Sequence, residues 1–203
     1  MKSFSRFNDD VSLLINVFGS ILDKAREDQM LADNIGLLAN LFYCRIVDTF
    51  LVFLSDFLTQ LFRVKPEMLR SNEKVDLAFI LEHQTMDTLL GSLIERKVTT
   101  MAFEGMRTVS RYFDQRLNLP LFSTEEELET AILAVEIRNL FTHNRGIVNR
   151  LFRERVPRFK CEIDDTINIV TKGLYGSHAS LFMKTAAELS TKASEKFGST
   201  AFL

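Results

Sequence analysis

One apolar stretch restricts the fold of this chain more than any other feature. From Leu31 to Val64 the residues have helical periodicity, and between Leu51 and Phe62 they are apolar on nearly every side of that helix. Pro66 ends the stretch, because proline cannot continue a helix without losing a hydrogen bond. A helix of this kind must be covered on several sides. We therefore expect it to be the buried centre of a helical protein, with an interface between two copies as the alternative.

The same stretch is not expected to cross a membrane. Arg45, Asp48 and Asp56 interrupt its most apolar part, and charged side chains near the centre of a membrane span are costly. The chain begins with polar and acidic residues before any apolar run, which is not the pattern of a secretory signal peptide. Its two cysteines are far apart and do not form a disulfide framework. We expect a cytoplasmic protein with no membrane partner.

The composition favours helices around a core rich in phenyl rings. The chain has 18 Phe and no Trp, and its 8 Gly and 3 Pro leave little turn material for an all-β protein. Its 203 residues suit one domain with a substantial core. We predict an all-α fold in a single domain over residues 1–203.

Periodicity and capping signals locate the remaining elements. Further helices are predicted over about 9–30, 76–82, 87–100, 104–117, 124–145, 147–155 and 177–197. The helix over 124–145 has the clearest start, since Ser123 and Thr124 precede three glutamates at capping-box spacing. Gly146 can end it. Apolar and polar residues alternate between 159 and 170, on both sides of Asp164, which predicts a small β-hairpin there.

The end of the 124–145 helix holds the residues best suited to chemistry. Arg138, Asn139 and His143 lie within six residues. Arginine is a permanent planar cation suited to phosphate, and histidine exchanges protons near neutral pH. Asn139 shares a helix face with His143, whereas Arg138 is about 140° away from His143 around the helix. This spacing is workable for cleaving a phosphodiester without a metal ion, with His143 as acid or base and Arg138 stabilising transition-state charge.

A single histidine does not easily act as both base and acid. A second histidine from a two-fold partner removes that difficulty, so the chemistry favours a homodimer. RNA is the substrate for which no metal is needed, because its 2′-hydroxyl supplies an internal nucleophile. RNA and a second copy of the chain are therefore the expected partners.

Positive charge is concentrated after Arg138. Seven basic residues lie between Arg138 and Lys160, opposed only by Glu154, although the net charge of the chain is −2. Such a strip suits an RNA backbone, and a solvated helix face is an equally open interpretation. The residues expected to contact RNA are Asn144, Arg145, Arg150 and Arg153.

No metal ion or cofactor is predicted. His83 and His178 stand alone, and neither has metal-ligand spacing with Cys44 or Cys161. We expect both histidines to have structural or surface roles. The chain also has no glycine-rich phosphate-binding loop.

The string Glu-Ile-Arg-Asn-Leu-Phe-Thr-His-Asn-Arg-Gly over residues 136–146, here called the motif, resembles the HEPN superfamily, in particular its RiboL-PSP-type members. The signature of that superfamily is an arginine, often followed by a polar residue, with a histidine several residues later. Segments 62–73 and 95–98 also look similar, so the resemblance covers about residues 40–155. It implies an HEPN-like helical bundle that forms a homodimer, with the two motifs facing one another across the two-fold axis.

For function, the resemblance implies a metal-independent endoribonuclease of toxin or phage-defence type, with an antitoxin or defence-system protein as a partner. Arg138 and His143 would be catalytic, and Asn139 an auxiliary polar group. Arg145 stands where members silenced by nucleotide transfer commonly have a tyrosine, so this form of silencing is not expected. Two alternatives stay open. One is a non-catalytic HEPN-like module that binds RNA, a nucleotide or a protein, and the other is a purely structural dimerisation domain.

Overall fold

The predicted all-α fold is confirmed. The structure is a computed structural model that describes residues 3–70, 74–169, 173–198 and 202, and within these ranges it has eight α-helices and no strand. The helices are α1 Ser3–Lys24, α2 Gln29–Val64, α3 Leu77–Leu81, α4 Met86–Phe103, α5 Met106–Gln115, α6 Glu125–Asn144, α7 Arg150–Arg155 and α8 Leu174–Phe197. A short 3₁₀ helix, Pro66–Leu69, follows α2.

The long apolar helix predicted from the sequence is α2, and it lies at the centre of the fold. Asp28 caps its N-terminus by accepting a hydrogen bond from the backbone N–H of Leu31. Helices α1, α4, α6 and α8 pack around it. Phe50, Phe57 and Phe62 on α2 are fully buried. The prediction of a buried central helix is therefore confirmed, although one narrow side of α2 stays uncovered.

Among the described helices, α2 alone is long and apolar enough to cross a membrane. Mean hydropathy reaches 1.7 in its most apolar window, and 44% of that window is buried inside the protein. A core helix of a soluble protein passes the same test, and four neighbouring helices contact α2. The absence of a membrane partner and the cytoplasmic location stay predictions.

Phenyl rings join the helices into one core, as the composition suggested. The rings of Phe50 on α2 and Phe182 on α8 are stacked with their centroids 4.2 Å apart. Phe57 on α2 lies 5.8 Å from Phe113 on α5, again between centroids. Such ring pairs contribute beyond the apolar area that they bury. The core is continuous from α1 to α8.

The first helix differs from its predicted bounds. It begins at Ser3 rather than near residue 9, because Phe7 and Val11 already belong to its buried face. It ends at Lys24, and a turn leads to the Asp28 cap of α2. The prediction treated the end of α1 and the start of α2 as continuous, and it overlooked this turn.

The β-hairpin predicted over 159–170 is wrong throughout its described part, which ends at residue 169. Apart from a turn in which the N–H of Asp165 donates to the carbonyl of Glu162, the middle of the segment bonds to the turn that follows α6. The N–H of Val148 donates to the carbonyl of Asp165 at 2.8 Å, and the N–H of Ile167 donates to the carbonyl of Gly146 at 2.9 Å. The alternation of apolar residues reflects burial, since Ile167 is buried while Ile163 is exposed. It does not reflect a ladder between two strands.

Candidate functional site

Helix α6 positions the motif. Thr124 caps its start by accepting a hydrogen bond from the N–H of Glu127, and a fully buried face that includes Ala131 and Ala134 packs against the core. The helix ends at Asn144, within one residue of its predicted end. Arg145 follows in the left-handed conformation.

Gly146 makes the turn after α6 possible. Its φ is 78°, a left-handed value that favours glycine. A Cβ at this position would lie 2.6 Å from the ring of Phe141, closer than any side chain could tolerate without movement. The tight turn at Gly146 therefore fixes where α6 stops, and with it the exposure of the residues just before it.

Arg138 is held in one orientation by two side chains. Its Nε donates to Oδ1 of Asp48 at 2.7 Å, and its Nη2 lies 2.7 Å from the same oxygen. Its Nη1 donates to Oδ1 of Asn139 at 3.1 Å. A guanidinium has five N–H donors, and these contacts use at most three of them. Arg138 is thus fixed and half-buried, and it retains donors for a ligand.

Sequence reasoning missed Asp48 as a member of this site. Asp48 was noted only as a charge in an apolar helix, and it lies 90 positions before Arg138 in the chain. A charged residue that interrupts the most apolar stretch of a protein was the available signal, because such a residue usually has a partner.

Cys44 lies one turn before Asp48, and its surroundings disfavour the thiolate form. Burial, followed by the Asp48 carboxylate, raises the pKa of the Cys44 thiol, while Arg138 and a hydrogen bond with Thr142 oppose that rise. The thiol is therefore protonated at neutral pH, and the thiolate is the reactive form.

His143 is exposed, and no described residue forms a hydrogen bond or ion pair with its ring. It lies five residues after Arg138 on a regular helix, which corresponds to about 140° around the axis and about 7.5 Å along it. Within one chain the structure does not bring the two predicted catalytic side chains together. Arg138 has Asn139 as its neighbour, and His143 faces solvent.

The predicted RNA-contacting residues differ in what they do. Asn144 donates to the carbonyl of Ile147 at 2.6 Å and so holds the turn. Arg150 pairs with Glu154 at 2.9 Å, and Arg153 donates to the carbonyl of Cys161. The fourth residue is Arg145, which is exposed and has no ion pair with a described residue.

The basic strip is largely neutralised within the protein. Four of its seven cations face carboxylates: Arg138 with Asp48, Arg150 with Glu154, Arg153 with Glu162 and Arg155 with Glu136. The cations without an ion pair to a described residue are Arg145, Arg158 and Lys160. The strip therefore offers less positive charge to a phosphate backbone than the sequence suggested.

The other two histidines have structural partners, as expected. His178 on α8 is buried, its Nδ1 lies 2.7 Å from the hydroxyl oxygen of Tyr43, and burial lowers its pKa to about 4. It is therefore neutral at pH 7. The two ring nitrogens of His83 lie 2.8 Å from the carbonyl of Phe79 and 2.7 Å from the hydroxyl of Ser92. Over the described ranges, no group of three or more His, Cys, Asp and Glu side chains could hold a metal ion.

A groove of about 780 Å³ begins at Arg138 and Asn139 and runs between α2, α4, α5 and α6. Its floor is mostly aliphatic, with Leu51 and Val98 as examples. Charged side chains of both signs form the rim, and His143 does not line it. Sequence analysis gave no sign of this groove, because its walls come from four separate helices.

Comparison with known proteins finds no match for this chain among family models, curated proteins or solved structures. The HEPN resemblance therefore stays a prediction drawn from residues 136–146 and the weaker segments before them. What the chain does must be argued from the residues themselves.

Proposed function

We propose that the protein is a metal-independent endoribonuclease of toxin or phage-defence type, which works as a homodimer with a composite site made of Arg138, His143 and Asn139. An antitoxin or a defence-system protein would be its partner in the cytoplasm. One observation supports this most directly: the last two turns of α6 carry both a fixed arginine with unused donors and an exposed histidine that no described residue binds.

The proposed reaction uses the 2′-hydroxyl of RNA as the nucleophile. His143 of one copy removes the proton of that hydroxyl, and its oxygen attacks the neighbouring phosphorus. The partner's His143 gives a proton to the departing 5′-oxygen, and the free N–H groups of Arg138 stabilise the negative charge on the phosphorus oxygens. The products are a 2′,3′-cyclic phosphate and a 5′-hydroxyl, with no change in the number of protons.

Two features of α6 support a site shared between copies. The offset of about 7.5 Å and about 140° between Arg138 and His143 is too large for both to reach one phosphate easily within one chain. In addition, the attacking and leaving oxygens lie on opposite sides of the phosphorus, so one imidazole does not easily act on both as base and acid. A second copy supplies a second histidine, and an arginine that is not bound by the spacing within one helix.

The test is RNA cleavage in the presence of EDTA. Wild-type protein should produce ends with a 2′,3′-cyclic phosphate, and His143→Ala should lower the rate by about 10²–10⁴-fold, the usual contribution of a general acid or base. Glu126→Ala, an exposed change at the other end of α6, is the control and should keep the wild-type rate. If His143→Ala cleaves at the wild-type rate, the assigned base is wrong.

A second function, a non-catalytic dimerisation module, is favoured by the contact between Arg138 and Asp48. An ion pair that joins α2 to α6 explains the arginine without any substrate. This function predicts that Arg138→Ala lowers the melting temperature and that wild-type protein does not cleave RNA at any salt concentration. Because Arg138→Ala loses the contact with Asp48 under either function, RNA cleavage by the wild-type protein is the measurement that separates the two.

A further inference from the structure

Between Leu41 and Val52 the central helix α2 has one uncovered side, and its exposed residues there form a regular line. Leu41 is 59% exposed and Val52 is 54% exposed. Between them lie Arg45, which is exposed, and Asp48, whose side chain is 33% exposed. Their spacing of four, three and four residues keeps all four on one narrow face, here called the α2 stripe. Large apolar side chains exposed in a line mark an interaction surface more often than single ones do.

The order of apolar and charged side chains along the α2 stripe is almost the same in both directions, except that the two charges exchange sign. The order is apolar, positive, negative, apolar. If a second copy of α2 runs antiparallel, with the two-fold axis between Ile46 and Val47, Leu41 faces the partner's Val52 and Arg45 faces the partner's Asp48. Symmetry repeats both contacts. A two-fold interface requires this kind of self-complementary surface.

A parallel arrangement fails the same test. It would place Arg45 against the partner's Arg45 and Asp48 against the partner's Asp48, and like charges at a helical interface are unfavourable. The antiparallel arrangement also uses groups that are otherwise unoccupied. Arg45 has no ion pair with a described residue, and the contacts of Arg138 go to Oδ1 of Asp48, which leaves Oδ2 for the partner's Arg45.

We infer that a second copy of this chain docks antiparallel on the α2 stripe, with Arg45 of each copy paired to the partner's Asp48; for the proposed ribonuclease, this docking places the two motifs beside one shared cleft. Exposed side chains and their charges alone support the interface. The consequence for the site rests on the proposed function.

The position of α6 along α2 explains why the partner completes the site. Arg138 on α6 contacts Asp48 on α2, and the rings of Phe141 and Tyr43 lie 6.2 Å apart between centroids, so α6 runs antiparallel to α2 and its end lies close to the level of Tyr43. A two-fold axis between Ile46 and Val47 brings that level opposite the partner's Phe50.

The partner's Arg138 lies level with the partner's Asp48, only two residues away from that position. In this register His143 and the partner's Arg138 lie within about one helical turn, about 5 Å, of one another along the helices, against about 7.5 Å within one chain. A two-fold axis perpendicular to two antiparallel helices also keeps both copies of α6 on the same side. The two motifs then border one shared cleft.

Charge reversal tests the interface without any assay of activity. Sedimentation should show a wild-type dimer, and Arg45→Glu or Asp48→Lys alone should weaken dimerisation by about tenfold or more, because each places like charges together. Mixing the two variants should restore a dimer, since every pair across the axis is then of opposite charge. If the mixture stays monomeric while both variants are folded by circular dichroism, the proposed pairing is wrong.

Apolar contacts give a second test that leaves Arg138 and its partner Asp48 unchanged. Leu41→Glu should produce a folded monomer that has lost RNA cleavage, although Arg138 and His143 are intact. Leu13→Glu, at an equally exposed leucine on α1, is the matched control and should stay dimeric. A wild-type dimer that Leu41→Glu does not disturb would overturn the inference.

The results also separate this inference from the proposed function. Protein that dimerises through the α2 stripe and cleaves no RNA supports the interface and refutes the ribonuclease. Protein that cleaves RNA as a monomer supports the ribonuclease and refutes the shared site.

Discussion

The two ends of α6 are built from charged residues that serve different purposes. At the N-terminal end, Glu125 and Glu129 both bind Arg107 of α5, and Glu127 binds Lys184 of α8. At the C-terminal end, His143 and Arg145 are exposed and have no ion pair with a described residue. The first end is anchored to its neighbours, whereas the second is left open to solvent beside a fixed arginine.

The difference shows how one helix can carry stabilising contacts at one end and exposed candidate functional groups at the other. Hydrogen bonds from Arg107 and Lys184 lower the pKa of Glu125 and Glu127 respectively, so these carboxylates stay charged and favour the positive end of the helix dipole. The contacts are exposed and individually weak, and together they fix the start of α6. A rigid start allows the motif, which begins 11 residues later on the same helix, to be placed accurately.

The same conservative substitution at both ends gives the largest expected contrast. Arg138→Lys keeps the charge and loses the planar fork, so we expect RNA cleavage to fall by about 10²–10³-fold, as for removal of a transition-state donor. Arg107→Lys, the matched change at the anchored end, should leave cleavage near the wild-type rate. The measurement is kcat/KM on one RNA substrate. Equal losses in the two variants would show that the ends do not differ in function.

The sequence correctly predicted the features that depend on residues close together in the chain, such as the ends of helices. The bounds of α6 were right within one residue, because the Thr124 cap and the Gly146 turn are local signals. The central position of α2 followed from its apolar surface. The hairpin failed because alternation shows which residues are buried, but not which backbone segment a strand will bond to.

The candidate site depended on contacts that no local pattern contains. The motif gave Arg138, Asn139 and His143, and it did not give Asp48, which orients Arg138 from another helix. The basic residues after Arg138 suggested a positive strip, and Glu136 and other carboxylates partly neutralise its charge in the folded protein. Long-range pairing of charges must be seen in three dimensions.

Between its two ends, α6 packs against a buried histidine that should make the stability of the protein depend on pH. There the carbonyl of Ala134 lies 3.4 Å from the hydroxyl oxygen of Tyr43, which also contacts buried His178. Burial lowers the pKa of His178 from 6.5 to about 4, so between these values the unfolded chain binds more protons than the folded one. Stability should therefore fall as the pH drops, by about 2 kcal/mol from pH 7 to pH 5.

His178→Gln removes this titration and provides the check. Urea unfolding at pH 7 and pH 5 should show a smaller loss of unfolding free energy in the variant than in the wild type. The test compares only the change in unfolding free energy between pH 7 and pH 5 in each protein. A different stability of the variant at pH 7 therefore does not affect it. An identical loss in both proteins would show that His178 is not the group responsible.

The smallest expected effect belongs to the cap at the anchored end. Thr124→Ala removes the side chain that accepts a hydrogen bond from the N–H of Glu127, and loss of such a cap costs about 1 kcal/mol. Thermal unfolding should show this loss, while Ser123→Ala, one residue earlier, should show almost none because the backbone of Ser123, and not its hydroxyl, contacts Glu127. RNA cleavage per folded molecule should be unchanged in both variants, since neither touches Arg138 or His143. A specific loss of cleavage in Thr124→Ala would mean that the anchored end also positions the motif during turnover, and the separation between the two ends of α6 would no longer hold.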